Sequence, residues 1–153
     1  SGQEPQEGLR ERSAAFPLAL PHRLILMYSI QGDTVLDPFW GTGTTTLAAM
    51  LNGRNSVGYE VDPHFNSLFQ QHVKNFPQYA QKFVQQRIQK HLQFIQAEQT
   101  RGKIFKYQNT VYDFPVRTKQ ELQILIPEIN QIIFSHPASY SVTYIQPLNH
   151  DQV

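Results

Sequence analysis

The sequence predicts an α/β fold of the Rossmann-like type, followed by a small α+β appendage. A short apolar run at residues 34–36 leads through a glycine-rich turn into a helical segment, and a second strand-like run, residues 55–60, ends in an acid. Strands that alternate with helical segments favour a parallel sheet. We expect the α/β part to comprise residues 1–102 and the appendage residues 103–153.

A helix is expected ahead of the first strand. Pro17 and Pro21 bracket its start, and apolar residues then recur at helical spacing. We expect these apolar residues to be core; they are Leu18, Leu20, Leu24, Ile25 and Met27. Phe16 precedes the helix, where its ring is free to face a bound ligand.

The turn after the first strand is the most informative segment. The strand runs from Thr34 and ends in Asp37, glycines follow at Gly41 and Gly43, and a helix begins near Thr44. Glycine allows a tight turn, and backbone N–H groups at a helix start can then approach a cofactor closely. An acid beside the turn favours a ligand with a positively charged amino group and repels phosphates.

Three cofactor classes compete for this loop. A phosphate-binding NTPase loop needs a lysine after its last glycine, whereas Gly43 is followed by Thr44. A dinucleotide loop favours a small third residue where the helix packs on the strand, and Thr46 fits poorly there. S-adenosylmethionine (SAM) has no phosphate and carries a free amino group, so it fits best, with a NAD- or ATP-binding module as the alternative.

The second strand adds an acid at the expected spacing. Glu60 lies about 20 residues beyond the glycine turn, where a carboxylate binds the ribose hydroxyls of an adenosine cofactor. Asp62 follows, and Pro63 ends the strand. We therefore expect Glu60 to belong to the same site as the glycine loop.

The segment from Asp37 to Thr45, Asp-Pro-Phe-Trp-Gly-Thr-Gly-Thr-Thr, resembles the cofactor motif of the DNA amino-methyltransferases, which methylate adenine N6 or cytosine N4. The segment around Phe16 and Pro17 resembles the Phe-Pro motif of that family, and residues 53–60 resemble its ribose-binding segment. The resemblance covers about residues 12–75. Two departures are Arg12, where the family usually has His, and Trp40, which predicts a bulkier pocket wall than the family's usual small residue or Cys.

The resemblance implies a partial SAM-dependent methyltransferase fold and assigns roles to residues. Asp37 would hold the methionine amino group, Gly41 and Gly43 would allow close backbone approach, and Glu60 would bind the ribose. The complete set of cofactor-binding residues that it implies is Phe16, Asp37, Pro38, Phe39, Gly41, Gly43, Thr44, Thr45, Glu60 and Asp62.

The catalytic motif of the family is missing. Its members use a polar residue followed by Pro-Pro and an aromatic residue, and this chain contains no Pro-Pro pair. The segment that comes nearest to this motif contains Ser135, Pro137 and Tyr140, which are weak catalytic candidates. The alternative interpretation of this segment is an ordinary loop. In one motif order of the family the catalytic region comes first, so the chain resembles the C-terminal, cofactor-binding half of such an enzyme.

This interpretation implies DNA as a partner, bound through another region or through a second chain that carries the catalytic loop. The resemblance also implies a bacterial, cytoplasmic location with the nucleoid, and a place in restriction-modification. The alternative within the family is a non-catalytic, SAM-binding regulatory subunit.

The composition of the chain limits which other classes of protein and of binding site are possible. The chain has 153 residues, a formal net charge of +1 and no cysteine. A net charge this small indicates no strong positive potential that would attract nucleic acid. The lack of cysteine excludes disulfides and thiolate metal sites. No apolar run approaches the roughly 20 residues of a membrane span. The six histidines lack the spacing of a zinc helix, so we expect no metal site.

Beyond residue 62 the pattern predicts helices at 64–75 and 78–100, separated by Pro77. The second helix carries an apolar stripe from Tyr79 to Ile95, and Phe94 lies off it, free to contact a partner. In the appendage we expect a strand over 103–112, a capping box at Thr118, a short helix over 128–134 and an edge strand over 141–145. We interpret this part as a lid, a docking surface or a cap over a sheet edge.

Overall fold

The structure, a computed structural model, describes residues 16–135 and 138–145. The first helix, α1, spans Ala19–Tyr28. Leu18 and Ile25 are buried, but three of the apolar residues expected in the core lie largely in solvent. The prediction was wrong for these three, which are Leu20, Leu24 and Met27. Their face of α1 points away from the helix that follows in the chain, so spacing alone identified a helix but not its buried side.

The predicted strand–turn–helix–strand unit is present. Strand β1 spans Thr34–Asp37, helix α2 spans Thr44–Leu51 and strand β2 spans Asn55–Gly58. The two strands are parallel, with Leu36 opposite Val57. This βαβ unit confirms the predicted partial Rossmann-like fold, although β2 ends two residues before the acid.

One long helix, α3, replaces the two helices predicted around Pro77. It spans His64–Thr100 without interruption. Proline removes one backbone hydrogen bond from a helix interior. Phe76 and Ala80, on either side of it, are both buried in the core, and this burial outweighs that loss. Within the described residues, no helix is both long and apolar enough to cross a membrane.

After α3 the chain forms a small antiparallel pair, with strand β3 at Tyr107–Gln108 and strand β4 at Pro115–Val116. The strand expected over 103–112 is therefore reduced to two residues. The predicted capping box is confirmed: the Glu121 carboxylate accepts the Thr118 backbone N–H at 2.7 Å, at the start of a single 3-10 turn.

The chain then forms a β-hairpin. Strand β5 spans Ile129–Ser135 and pairs antiparallel with strand β6, Ser139–Tyr144. The short helix predicted over 128–134 was wrong. Its β-branched residues are equally suited to a strand, and pairing with β6, a contact distant in sequence, decides the outcome.

The hairpin packs on the same core as the α/β part. Ile129 is fully buried within that core, and the Tyr144 hydroxyl donates to the Met50 backbone oxygen at 2.9 Å. Burial raises the pKa of Tyr144 to about 12. The expected division at residue 102 stays a prediction.

A buried histidine lies where α1 meets α2. The Nδ1 atom of His22 is 2.9 Å from Asn52 Nδ2, and both residues are buried. Burial, and then the nearby charges of Arg87, Arg23 and Arg54, lower the pKa of His22 to about 4. His22 is therefore neutral at physiological pH.

Candidate cofactor site

The glycine loop connects β1 to α2 and has the backbone shape that its sequence predicts. Gly41 has φ 50° and Gly43 has φ 75°, both in the left-handed region that favours glycine. The Gly43 carbonyl accepts the Leu47 N–H at 3.0 Å, so Gly43 starts α2. The loop therefore ends at a helix N-terminus, where backbone N–H groups lack helical partners.

Asp37 closes the strand end of the loop. Its carboxylate Oδ1 accepts the Phe39 N–H at 3.0 Å, and its carbonyl accepts the Tyr59 N–H at 2.9 Å. Pro38 and Phe39 are not buried, and Phe39 is 88% exposed. An aromatic side chain so fully in solvent is free to contact a ligand or another segment.

Glu60 contacts the glycine loop directly. Its Oε2 accepts the Gly41 N–H at 2.8 Å, and its Oε1 accepts the N–H groups of Val61 at 2.9 Å and Asp62 at 3.0 Å. These backbone donors, Asp62 first, lower the pKa of Glu60, so the group is a carboxylate at neutral pH. The two sequence motifs are thus joined by a hydrogen bond.

Asp62 starts the long helix. Its Oδ1 accepts the His64 N–H at 2.9 Å, at the first residue of α3. A carboxylate is favoured at this position by the helix dipole. Asp62 therefore has a structural role beside the one that the sequence predicted.

The threonines after the glycines differ in exposure. Thr42 is buried, and its Oγ1 lies 3.3 Å from Thr44 Oγ1. Thr44 and Thr45 are half-buried in the first turn of α2. These hydroxyls lie beside the backbone N–H groups of the loop and add donors and acceptors to it.

Trp40 is the residue whose role the sequence did not reveal. Its indole Nε1–H donates to Thr46 Oγ1 at 2.8 Å, and its ring packs on Phe69 of α3 with centroids 4.7 Å apart. A side chain on Gly58 would collide with the indole: its Cβ would lie 2.1 Å from Trp40 Cδ1. The signal for this role, a large aromatic residue in a loop of small ones, was visible in the sequence, but its partners were not.

A cavity of about 780 Å³ lies between β2 and the β-hairpin. Trp40, Glu60 and Asp62 line it from the α/β part, and Tyr140 and Ser141 line it from the hairpin. Two of the predicted cofactor-binding residues, Glu60 and Asp62, and the catalytic candidate Tyr140 therefore border a space large enough for a small organic ligand.

Comparison with known proteins shows which family the loop belongs to. A family model described as DNA methylase matches residues 2–71. Type II methyltransferase M.MthZI of Methanothermobacter thermautotrophicus is 47% identical over 118 residues. The matched part of this chain, residues 2–71, belongs to the DNA amino-methyltransferase family.

The alignments cover only part of each family member. M.MthZI aligns with 77% of this chain, which spans 32% of that relative. Type II methyltransferase M.MjaI of Methanocaldococcus jannaschii is 51% identical over 65 residues, 42% of this chain and 22% of the relative. TTHA0409 of Thermus thermophilus, solved in complex with S-adenosyl-L-methionine, is 45% identical, with a TM-score of 0.38 over 43% of this chain and 26% of that one. The chain thus spans about a third or less of these relatives.

Two of the three weak candidates for the family's catalytic segment, Ser135 and Tyr140, lie on the hairpin. Ser135 ends β5 and is exposed, opposite Ser139 of β6. The Tyr140 hydroxyl donates to Asn66 Oδ1 at 3.3 Å, and its ring packs edge-on against Phe69. Tyr140 therefore anchors the hairpin to α3. Pro137 lies outside the described residues.

Phe16 is the first described residue, and it is 43% exposed ahead of α1. Its ring is therefore partly accessible, and its place in a cofactor site stays a prediction. Arg12, the other residue singled out in this segment, lies outside the described residues. Among residues 16–135 and 138–145, no group of three His, Cys, Asp or Glu side chains is placed to hold a metal ion.

Proposed function

We propose that this chain is the SAM-binding portion of a DNA methyltransferase that transfers a methyl group to adenine N6 or cytosine N4. The observation that supports this most is the hydrogen bond from the Gly41 N–H to the Glu60 carboxylate, which joins the glycine loop to the second acid. Family membership supports the same chemistry. The activity itself, the DNA substrate and any partner chain belong to the proposal.

The charges around the loop fit SAM. Residues 37–46 contain one acid and no lysine or arginine, and Glu60 adds a second acid beside them. SAM carries a cationic amino group and no phosphate, so this set would attract it, whereas it would repel the phosphates of NAD or ATP. SAM would bring the electrophilic methyl group, carried on its sulfonium sulfur.

The carboxylates retain capacity for a ligand. A carboxylate has about four acceptor sites. Glu60 uses three of them on backbone N–H groups, which leaves one for a ribose hydroxyl. For Asp37, the described residues give a hydrogen bond to Oδ1 alone, so Oδ2 remains for the methionine amino group. The cavity beside Glu60 and Asp62 would take the adenosine end.

An exposed apolar sheet face supports the idea that the chain is one portion of a larger enzyme. Leu36 and Val57, opposite each other on β1 and β2, are 61% and 46% exposed. Parallel sheets are normally covered on both faces. We propose that the part of the enzyme that carries the catalytic loop and target recognition covers this face, either as another region or as a partner chain. The complete enzyme would act on DNA in the cytoplasm.

The test is calorimetric titration of the chain with S-adenosylhomocysteine (SAH), the demethylated product. Asp37→Asn and Glu60→Gln remove one charge each with little change of shape, and we expect each to weaken binding about tenfold or more, since a hydrogen bond to a charged group contributes about 1.5–3 kcal/mol. Asp113→Asn is the matched control, because Asp113 is an exposed acid whose left-handed backbone suits Asn. Equal loss in all three variants would contradict the assignment.

Competition separates this proposal from the other cofactor classes. If the site is selective for SAM, excess NAD or ATP leaves the SAH titration unchanged. Displacement of SAH by either nucleotide at similar concentration would favour the nucleotide-binding alternative. SAH binding with no methyl transfer, even after the missing catalytic part is supplied, would favour a regulatory SAM-binding subunit.

A further inference from the structure

Trp40 occupies a space that exists only because two neighbouring residues are glycines. A Cβ on Gly58 would lie 2.1, 2.5 and 2.9 Å from three atoms of the indole, Cδ1, Cγ and Nε1. A Cβ on Gly43 would lie 3.1 Å from Trp40 Cζ2 and 2.3 Å from the Phe69 ring. Cβ atoms almost never approach other atoms within 3.0 Å, and 3.1 Å is already tight, so the indole is closely enclosed by backbone on two sides.

Hydrogen bonds hold Trp40 at both its backbone and its side chain. Its N–H donates to the Tyr59 carbonyl at 2.9 Å, and its carbonyl accepts the Gly43 N–H at 2.9 Å. Its indole Nε1–H donates to Thr46 Oγ1 at 2.8 Å, and the Ser56 hydroxyl donates to the same oxygen at 3.2 Å. Trp40 thus connects the glycine loop to β2, to the first turn of α2 and, through Phe69, to α3.

We infer that Trp40 is a positioning residue for the glycine loop, residues 37–45: its indole, held by Thr46 and enclosed by Gly58 and Gly43, fixes the backbone conformation of the loop against β2 and α2. This inference rests on the proposed cofactor site. It differs from the expectation that Trp40 is simply a bulkier pocket wall. A fixed loop binds a ligand without first having to be ordered, and this raises affinity.

The first test needs no ligand. Amide hydrogen exchange of Gly41 and Gly43, measured by NMR, reports how often the loop opens. Trp40→Phe keeps an aromatic ring but removes the Nε1–H, and Thr46→Val removes the acceptor. Loss of one hydrogen bond corresponds to about fivefold in an equilibrium constant, so we expect exchange of both amides to become about fivefold faster in each variant.

Two further variants show whether the Trp40–Thr46 contact is the cause. The double variant, Trp40→Phe with Thr46→Val, should exchange no faster than the faster of the two single variants, because both remove the Trp40–Thr46 bond. Thr46→Ser keeps a hydroxyl and should restore slow exchange. Trp40 is the one tryptophan of the chain, so the fluorescence emission of the protein reports on its environment. The wavelength of this emission should shift in Thr46→Val and return to the wild-type value in Thr46→Ser.

A merely structural role is excluded by a matched control. Val84→Ala removes buried apolar contact from α3 and should lower thermal stability without accelerating exchange at Gly41 and Gly43 relative to other amides. Equal acceleration in Val84→Ala and Trp40→Phe, at equal loss of stability, would overturn the inference. So would unchanged loop exchange in Thr46→Val.

The second test is SAH affinity. Trp40→Phe and Thr46→Val should each weaken SAH binding about fivefold, and Thr46→Ser should bind as the wild type does. Unchanged affinity in both would overturn the positioning role. If the wild-type chain itself does not bind SAH, the proposed function fails for this chain, and the exchange measurement still decides whether Trp40 fixes the loop.

Discussion

The contact between Trp40 and Gly58 gives the sharpest prediction about stability. In Gly58→Ala the new methyl group would lie within 3 Å of three indole atoms. The indole cannot withdraw freely, because its Nε1–H is bonded to Thr46 and its ring is packed on Phe69. Overpacking a tight site costs about 1–3 kcal/mol, and the severity of this overlap places the expected loss near the upper end, at about 3 kcal/mol.

A double-mutant cycle isolates that contact. Trp40→Ala alone should cost about 2–3 kcal/mol, somewhat less than for a fully buried tryptophan, because Trp40 is half-buried. In the Trp40→Ala background the methyl group at position 58 meets no indole, so Gly58→Ala should then cost little. The double variant should therefore be about as stable as Trp40→Ala, with a coupling of about 2–3 kcal/mol.

Urea denaturation followed by circular dichroism measures these free energies without using tryptophan emission. Gly102→Ala is the control: its Cβ would meet no atom within 4 Å, and its φ of 82° gives a strain of about 1 kcal/mol that is independent of Trp40. Additive effects of Trp40→Ala and Gly58→Ala would refute the reasoning, as would a Gly58→Ala variant that is no less stable than Gly102→Ala.

Three further predictions concern the loop, the buried histidine and the hairpin. Gly43→Ala should lose about 3 kcal/mol or more of unfolding free energy, because strain adds to overlap. Gly41→Ala, whose new Cβ makes only an ordinary contact with the Phe39 carbonyl, should lose about 1 kcal/mol; urea denaturation compares them. The pKa of His22 is lower in the folded state, so the unfolded state binds the extra proton, and His22 should make stability fall by about 2 kcal/mol between pH 7.5 and 5. His22→Phe should remove this share and leave that of His72, whose pKa burial also lowers. Tyr144→Phe should cost about 1 kcal/mol through the lost bond to Met50 and should remove a tyrosine that titrates at about pH 12 from an ultraviolet titration; an unchanged titration would argue against this assignment.

The sequence correctly predicted the structural features that depend on residues close to one another in the chain. The βαβ unit follows from a short apolar strand, two glycines and a helix start within residues 34–51, all of which are neighbours in the chain. The capping box at Thr118 and Glu121 is equally local. Glu60 was expected near the glycine loop through a spacing that parallel strands impose, and the structure places its carboxylate on the Gly41 N–H.

The predictions that were wrong concern segments whose structure depends on contacts between residues distant in the sequence. Pro77 was expected to divide a helix, since proline costs about 3 kcal/mol in a helix interior. The flanking residues Phe76 and Ala80 are buried, and a break would expose them. Likewise, Ile129 is fully buried and opposite Tyr144 in the hairpin, a pairing that no local pattern over 128–134 reveals.

The glycine motif shows that a sequence pattern can locate a site correctly without revealing why each of its residues is needed. Gly41 and Gly43 look alike in sequence, and both have positive φ. A Cβ on Gly41 would make only an ordinary contact, 3.9 Å from the Phe39 carbonyl oxygen, so glycine is needed there for the backbone shape. A side chain on Gly43 would strike Phe69 of α3, so its requirement is also one of packing from behind the loop. The loop conformation therefore depends on the aromatic residues beneath it as well as on its own glycines, and a substitution at Phe69, which does not line the cavity, should change the site without touching a ligand.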